Sequence, residues 1–284
     1  MALTNKQKEQ IIQNKKLRAA SSRRVATKII AVLVLAALLV TGGTWGVVSL
    51  IDANSMKVTI SKGAEGLSLS NYSDFSDATT NLKIGGPETI DATTYTNFEF
   101  DKKILGFEGA HHGKNYIGFS FFLKNVSSTK YVKFLKAEVL KNCSKGVEKA
   151  LRVMIIESTI DGTIKNINIY AEKDMNDQFE YVAYDTDQLN HNALTLKELN
   201  MNKELLTSNE TRPFIGQRIE DEEDLKYYIG YDDSGELAPN EIRKYTALLW
   251  IEGTDYECKN DIVSGSCQID IEFSVIEYGD IVNY

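Results

Sequence analysis

The 284-residue chain has no His-Glu-x-x-His run, the spacing that holds two imidazoles on one zinc ion with a glutamate to activate water. It has no Gly-x-Ser-x-Gly nucleophile turn, no Gly-x-x-x-x-Gly-Lys-Ser/Thr phosphate loop and no dinucleotide fingerprint. These gaps leave zinc-protease, serine-hydrolase and nucleotide chemistry without their residues. Histidine is scarce: His111 and His112 are adjacent in "EGAHHGKN" and His191 stands alone. Neighbours on a strand point to opposite faces, so the pair could chelate only from a loop, and a metal-free surface loop is the plainer reading. Three cysteines, Cys143, Cys258 and Cys267, cannot all pair within one chain. Cys258 and Cys267 are close enough in sequence to close a loop in an oxidising compartment, leaving Cys143 free. The competing reading is that none is paired and that Cys267 is a core residue, in phase with Ile269, Ile271, Phe273 and Val275.

Charge is also missing from Ile29 to Ile51, within "KIIAVLVLAALLVTGGTWGVVSLID". At about 1.5 Å per residue these positions make a helix roughly 34 Å long, enough to cross a hydrocarbon core of about 30 Å. The exit reads Ile51-Asp52-Ala53, a poor small-x-small cleavage site, which favours a retained anchor over a cleaved export signal. The Gly42-Gly43 pair keeps cleavage open. Lys28 marks the leading edge of the span, and Trp45 fits an interfacial anchor. Eight basic residues against Glu9 give residues 1–28 a net charge of +7, while the whole chain carries −8 and the remainder therefore −15. By the positive-inside tendency the basic end stays cytoplasmic and the acidic part lies outside. That acidity argues against nucleic acid as a partner. The expected partners are the lipid bilayer, through residues 29–51, and other surface or matrix proteins.

After Asp52 the dominant periodicity is two residues, so the expected fold is mainly β: a single N-terminal transmembrane helix followed by an antiparallel β-sandwich of jelly-roll or Ig-like type. "YIGFSFFLKN" reads as a half-buried strand, with Ile117, Phe119, Phe121 and Leu123 on its apolar face. "SCQIDIEFSV" alternates most cleanly. "YTALLWIEG" is apolar on both faces, as a central strand would be. "ALRVMIIES" and "IKNINIYA" form two strands joined across Asp161-Gly162. "KVTIS" and "NFEF" are shorter strands. Thr195-Leu-Lys-Glu198 has capping-box spacing and predicts a short helix towards Leu206, and "IEDEEDLKYYI" predicts another helical turn. The acids from Glu220 to Asp224 and those of "YDDSGE" lack the spacing of a calcium loop and read as solvated faces. The domain division is 1–28 basic cytoplasmic segment, 29–51 transmembrane helix or signal-anchor, 52–96 stalk and first strands, and 97–284 sandwich. Asn71, Asn125, Asn142 and Asn209 each begin an N-x-S/T sequon.

Three stretches carry a resemblance: "GFSFFLKN", with Lys124-Asn125; "ALRV", Ala150 to Val153; and "WIEGTDYEC", with Trp250 to Gly253, Asp255 and Cys258. Together, over roughly residues 114 to 275, they are similar to membrane-anchored surface proteins of Gram-positive bacteria distantly related to the TasA/camelysin group. "GGTWGVVSL" also looks like the end of that group's signal segments. The resemblance implies an exported, non-enzymatic β-sandwich. The alternatives it brings are a cleaved and secreted matrix or fibre subunit of the TasA type, or a camelysin-like metal-dependent hydrolase, a role not carried over because the chain lacks a zinc motif; the residues themselves would centre such a hydrolase on His111 and His112. No residue is assigned to catalysis, a cofactor or a metal, and the reading is not that of an enzyme.

Overall fold

The computed structural model describes residues 55–61, 66–87, 89–95, 104–174, 178–185, 192–199, 208–219 and 225–280. Lys28, Trp45, the span 29–51, "NFEF", the acids 220–224 and His191 fall outside them. Among the described residues no helix is long and apolar enough to cross a membrane. The described chain is mainly β, with thirteen strands: β1 (Met56–Ile60), β2 (Leu67–Ser70), β3 (Asn81–Ile84), β4 (Gly109–Ala110), β5 (Ile117–Asn125), β6 (Lys130–Lys141), β7 (Leu151–Thr159), β8 (Ile164–Ala171), β9 (Arg212–Pro213), β10 (Gly216–Ile219), β11 (Leu225–Leu237), β12 (Ile242–Ile251) and β13 (Gln268–Asp280). β1, β2 and β3 come from the stretch expected to hold a stalk, and β1 packs with 0% exposure at Met56 and Val58.

The strands form two sheets. One runs β10-β11-β6-β13-β1-β3; the other runs β2-β5-β12-β7-β8-β9, with β4 also pairing β5. Most neighbours are antiparallel, but β1 pairs β13 in parallel and β8 pairs β9 in parallel, so both sheets are mixed. This corrects the purely antiparallel expectation. A period of two fixes which face is buried and says nothing about a partner's direction; β1 and β13 lie at opposite ends of the chain, and no hairpin forces them to run opposite ways.

A shared core joins the sheets. Phe134, Leu140, Ile269, Ile271 and Phe273 from the first meet Phe119, Phe121, Leu123, Val153 and Tyr245 from the second. Phe121 and Tyr245 stack at 5.3 Å, and Phe273 reaches both from the opposite sheet at 6.2 and 5.5 Å. Each fully buried large apolar side chain contributes about 1.5–3 kcal/mol. The clean alternation of Ile269, Ile271 and Phe273 is the inward face of β13, as the sequence predicts. Cys267 continues that phase and is 7% exposed.

The other face of the seven-stranded sheet is covered too. Met154, Ile156, Ile169, Leu248 and Trp250 lie under Tyr95, Ile104, Val182, Ala183 and Leu199 from the connecting segments. That cover makes β12 a central strand buried on both faces, as predicted. It also corrects β5, which is buried on both faces except at Lys124 rather than half-buried: Ser120 and Phe122 on its second face are 0% and 2% exposed. β7 and β8 pair as the predicted hairpin across Asp161-Gly162. The Thr195/Glu198 capping box forms, with Thr195 N donating to Glu198 Oε2 at 2.8 Å and Glu198 N to Thr195 Oγ1 at 3.4 Å; residues 196–199 form a turn, and the expected continuation towards Leu206 lies outside the described residues. Of the helical turn expected over "IEDEEDLKYYI", residues 220–224 lie outside the described residues and Leu225 to Ile229 instead begin β11, where pairing with β6 on one side and β10 on the other outweighs the local i, i+3 pattern.

Candidate functional site

The two histidines lie in the connection between β4 and β5, and their rings turn to different partners. His111 packs on the loop-covered side of β5, where its Nε2 lies 2.9 Å from Ser120 Oγ. His112 sits edge-on to core-facing Phe119 at 5.0 Å; its Nδ1 accepts from Gly118 N at 3.2 Å, which makes Nε2 the donor to Gly85 O at 2.9 Å. Burial, helped by Lys244 and His112, pushes His111 down to about 4. The rings engage different partners and do not converge on one point.

The cysteine expectation is corrected. Cys143 is bonded to Cys267, 124 residues away, and Cys258 is the free thiol. The register explains it: Gln268 pairs Lys141, so Cys267 at the start of β13 faces the end of β6, and Ser144 N donates to Ser266 O at 2.9 Å just beyond. Sequence proximity drew Cys258 towards Cys267, but strand pairing decides which thiols meet. Burial, followed by the charges of Asp255 and Glu252, raises the Cys258 thiol above its ordinary value.

Two buried ionic clusters were not anticipated. The first lies on the loop-covered face of the seven-stranded sheet. Arg152 of β7 has a fully buried side chain and stands beside Trp250 in the β7–β12 register. Its Nη2 donates to Glu180 Oε2 at 3.0 Å and to Asp255 Oδ2 at 2.7 Å, and its Nε to Tyr181 O at 2.9 Å. Tyr184 donates its hydroxyl to Glu180. Glu252, 0% exposed, accepts four hydrogen bonds, from Tyr95 N, Trp250 Nε1, and both N and Oγ1 of Thr254. "ALRV" and "WIEGTDYEC", distant in sequence, are thus brought together by the Arg152–Asp255 pair. The third motif ends in Asn125, also 0% exposed, whose Nδ2 donates to Lys130, Leu237 and Ala238 carbonyls while its Oδ1 accepts from Ser127 N. That anchoring of two turns is a structural use of a sequon asparagine.

Carboxylates continue past Arg152. Oxygens of Glu180, Asp255 and Glu257 lie within 4.8 Å of one another, the one such grouping among the described residues. Burial, then Asp255, raises Glu180 and Glu257 above the usual carboxylate range, with Arg152 opposing the rise at Glu180. Glu172 rises further, to about 7, through burial and the charges of Glu148 and Glu257. The guanidinium occupies the position a cation would take between Glu180 and Asp255, so the arrangement is an ion-pair network that locks the loops onto the sheet.

The second cluster lies between the sheets. Even-numbered residues of β6 face the core, and among Val132, Phe134 and Leu140 the series includes Lys136, 3% exposed, and Glu138, 0% exposed. Lys136 Nζ is 2.8 Å from Glu138 Oε1 and 5.3 Å from the Tyr245 ring centre. From the opposite sheet come Tyr170, with its hydroxyl close to both Glu138 and Asn168, and Asn168 itself. Burial and Glu138 push the Tyr170 phenol far above its ordinary value. Lys136 and Tyr170 approach Glu138 without closing a well-aligned hydrogen bond to either oxygen, and Asn168 Oδ1 is likewise buried without a donor.

Both clusters had a signal. In "ALRVMIIES" Arg152 is the one cation, set among apolar residues on both faces, which demands a buried counter-charge. In "KFLKAEVL" Lys136 and Glu138 are in phase with Phe134 and Leu140, which puts an ion pair in the core. No protein-family model, no curated protein and no solved structure matches this chain.

Proposed function

We propose that this chain is a membrane-anchored cell-surface protein whose jelly-roll-like or Ig-like sandwich works by contact with other surface or matrix components rather than by catalysis. The observation that carries the reading is the Cys143–Cys267 disulfide, because such bonds persist in oxidising, extracytoplasmic compartments. It agrees with the side of the membrane that the +7 leader and uncharged span assign to the acidic domain. The resemblance to the TasA/camelysin group points the same way. Its three motifs supply Asn125, Arg152, Glu252 and Asp255, all consumed in holding turns and loops in place, which leaves their chemistry structural.

The test is labelling of intact cells with an impermeant amine reagent, followed by peptide mapping. Lysines of the domain, such as the exposed Lys114, should react and those of residues 1–28 should not. Reaction confined to the leader would overturn the assignment. N-terminal mapping of the same material separates a retained anchor from a released matrix subunit. Cleavage beside Ala53 would leave β1 whole, so the fold accommodates either form.

A further inference from the structure

We propose that Lys136 and Asn168 become joined by an intramolecular isopeptide bond, formed with Glu138 as the proton carrier, which staples one sheet to the other. The inference rests on the cluster between the sheets and does not depend on where the protein resides.

Three groups with complementary chemistry line the same dry interior, with the Tyr170 hydroxyl linking Glu138 to Asn168. Lys136 supplies a primary amine, 3% exposed and set against the Tyr245 ring. Asn168, 7% exposed, supplies a carboxamide whose Oδ1 has no donor. Glu138 lies between them in a chain of contacts, 2.8 Å from the amine and beside the Tyr170 hydroxyl that also touches Asn168. The backbone makes room for this grouping: a Cβ on Gly230 of β11 would stand 1.8 Å from Glu138 Oε2 and 2.7 Å from the Tyr170 hydroxyl.

The chemistry balances without an added reagent. A charged amine–carboxylate pair is poorly tolerated away from water, and transfer of one proton from Lys136 to Glu138 leaves both groups neutral. The amine is then a nucleophile, and the protonated carboxyl can donate to Asn168 Oδ1, which otherwise lacks a partner. Attack of Nζ on Asn168 Cγ forms a tetrahedral centre. Glu138 passes its proton to Nδ2 and, as the carboxylate so formed, takes up the second proton of the attacking nitrogen, ending as the neutral acid. The Cγ–Nδ2 bond breaks, its electron pair leaves with ammonia, and the new Nζ–Cγ amide remains. Nothing is oxidised or reduced. The product exchanges a buried ion pair and an unsatisfied amide oxygen for one neutral amide, and it binds β6 covalently to β8 across the core.

The experiment is mass spectrometry of the full-length protein after reduction and alkylation, which removes the disulfide's contribution. The expected mass is that of the sequence less one ammonia, and tryptic digestion should yield a branched peptide linking the segments around Lys136 and Asn168. A mass equal to that of the sequence, or an ammonia loss confined to a linear peptide, would overturn the proposal. Lys136→Arg keeps the positive charge but lacks the nucleophilic amine, and should restore the full mass. Asn168→Asp should give a product identical in mass to the wild type, since water rather than ammonia then leaves; a difference of one mass unit between the two chains would count against the bond.

Discussion

The two buried ionic clusters contain the same kinds of side chain and differ in how their polar atoms are satisfied. Around Arg152 the guanidinium, two carboxylates, a tyrosine hydroxyl and backbone carbonyls are matched donor to acceptor, and Glu252 next to it is met by four donors. Around Lys136 a single short ion pair is hemmed in by Phe134, Tyr245 and Tyr170, with carboxylate and amide oxygens left over. The first sits where irregular segments cross a sheet and bring their own backbone groups; the second sits between two sheets whose backbone groups are already paired with each other. Satisfied networks rigidify, whereas partly satisfied ones keep reactive groups in a low-dielectric setting. The difference assigns architecture to the Arg152 cluster and latent chemistry to the Lys136 cluster.

The sharpest way to break the comparison is Arg152→Ala. Removing the cation strands Glu180 and Asp255, 5% and 1% exposed at their side chains, and uncompensated charge of this kind costs about 3–5 kcal/mol. Denaturant unfolding should show the lowered midpoint. Arg152→Lys should recover only part, because one ammonium cannot span Tyr181 O, Glu180 and Asp255 together. Full recovery with lysine would mean that charge alone holds the loops.

A pair of glycines gives the next contrast. Gly230→Ala drives its Cβ into Glu138 Oε2 and the Tyr170 hydroxyl, and overpacking of this kind costs roughly 1–3 kcal/mol. Gly253, in the Arg152 region, has Thr93 O as its nearest neighbour at 3.3 Å, and its alanine variant should cost less than about 1 kcal/mol. Thermal unfolding of the two variants side by side measures the difference. Equal losses would show that the cluster between the sheets is no tighter than the loops.

Much of the β architecture was legible because its signal is local. Inward and outward residues of β13 and β12, the β7–β8 hairpin and the Thr195/Glu198 box follow from periodicity and capping chemistry within each segment. What escaped depends on partners far along the chain. The direction of β1 beside β13, the cover over Ser120 and Phe122, and the meeting of Cys143 with Cys267 each join segments whose sequences say nothing about one another. The clusters fall between these cases: the odd charge was visible at Arg152, Lys136 and Glu138, but its partners Glu180, Asp255 and Tyr170 were not. The acids 220–224, prominent in the sequence, lie outside the described residues.

The finest contrast is in proton binding at the rim of the Arg152 cluster, beyond the guanidinium's reach. Glu172 faces Glu148, Glu257 and, on the compensating side, Lys149, and burial together with the two carboxylates lifts it to about 7. Between its ordinary value near 4.5 and about 7 the folded protein retains a proton that the unfolded chain has lost. Stability therefore falls as pH rises through that window and levels off above it. Glu172→Gln keeps the shape, removes the titration, and should flatten the decline in urea midpoint between about pH 5 and about pH 8. An unchanged decline in the variant would place the proton elsewhere, with Glu257, raised by burial and Asp255, as the next group to replace.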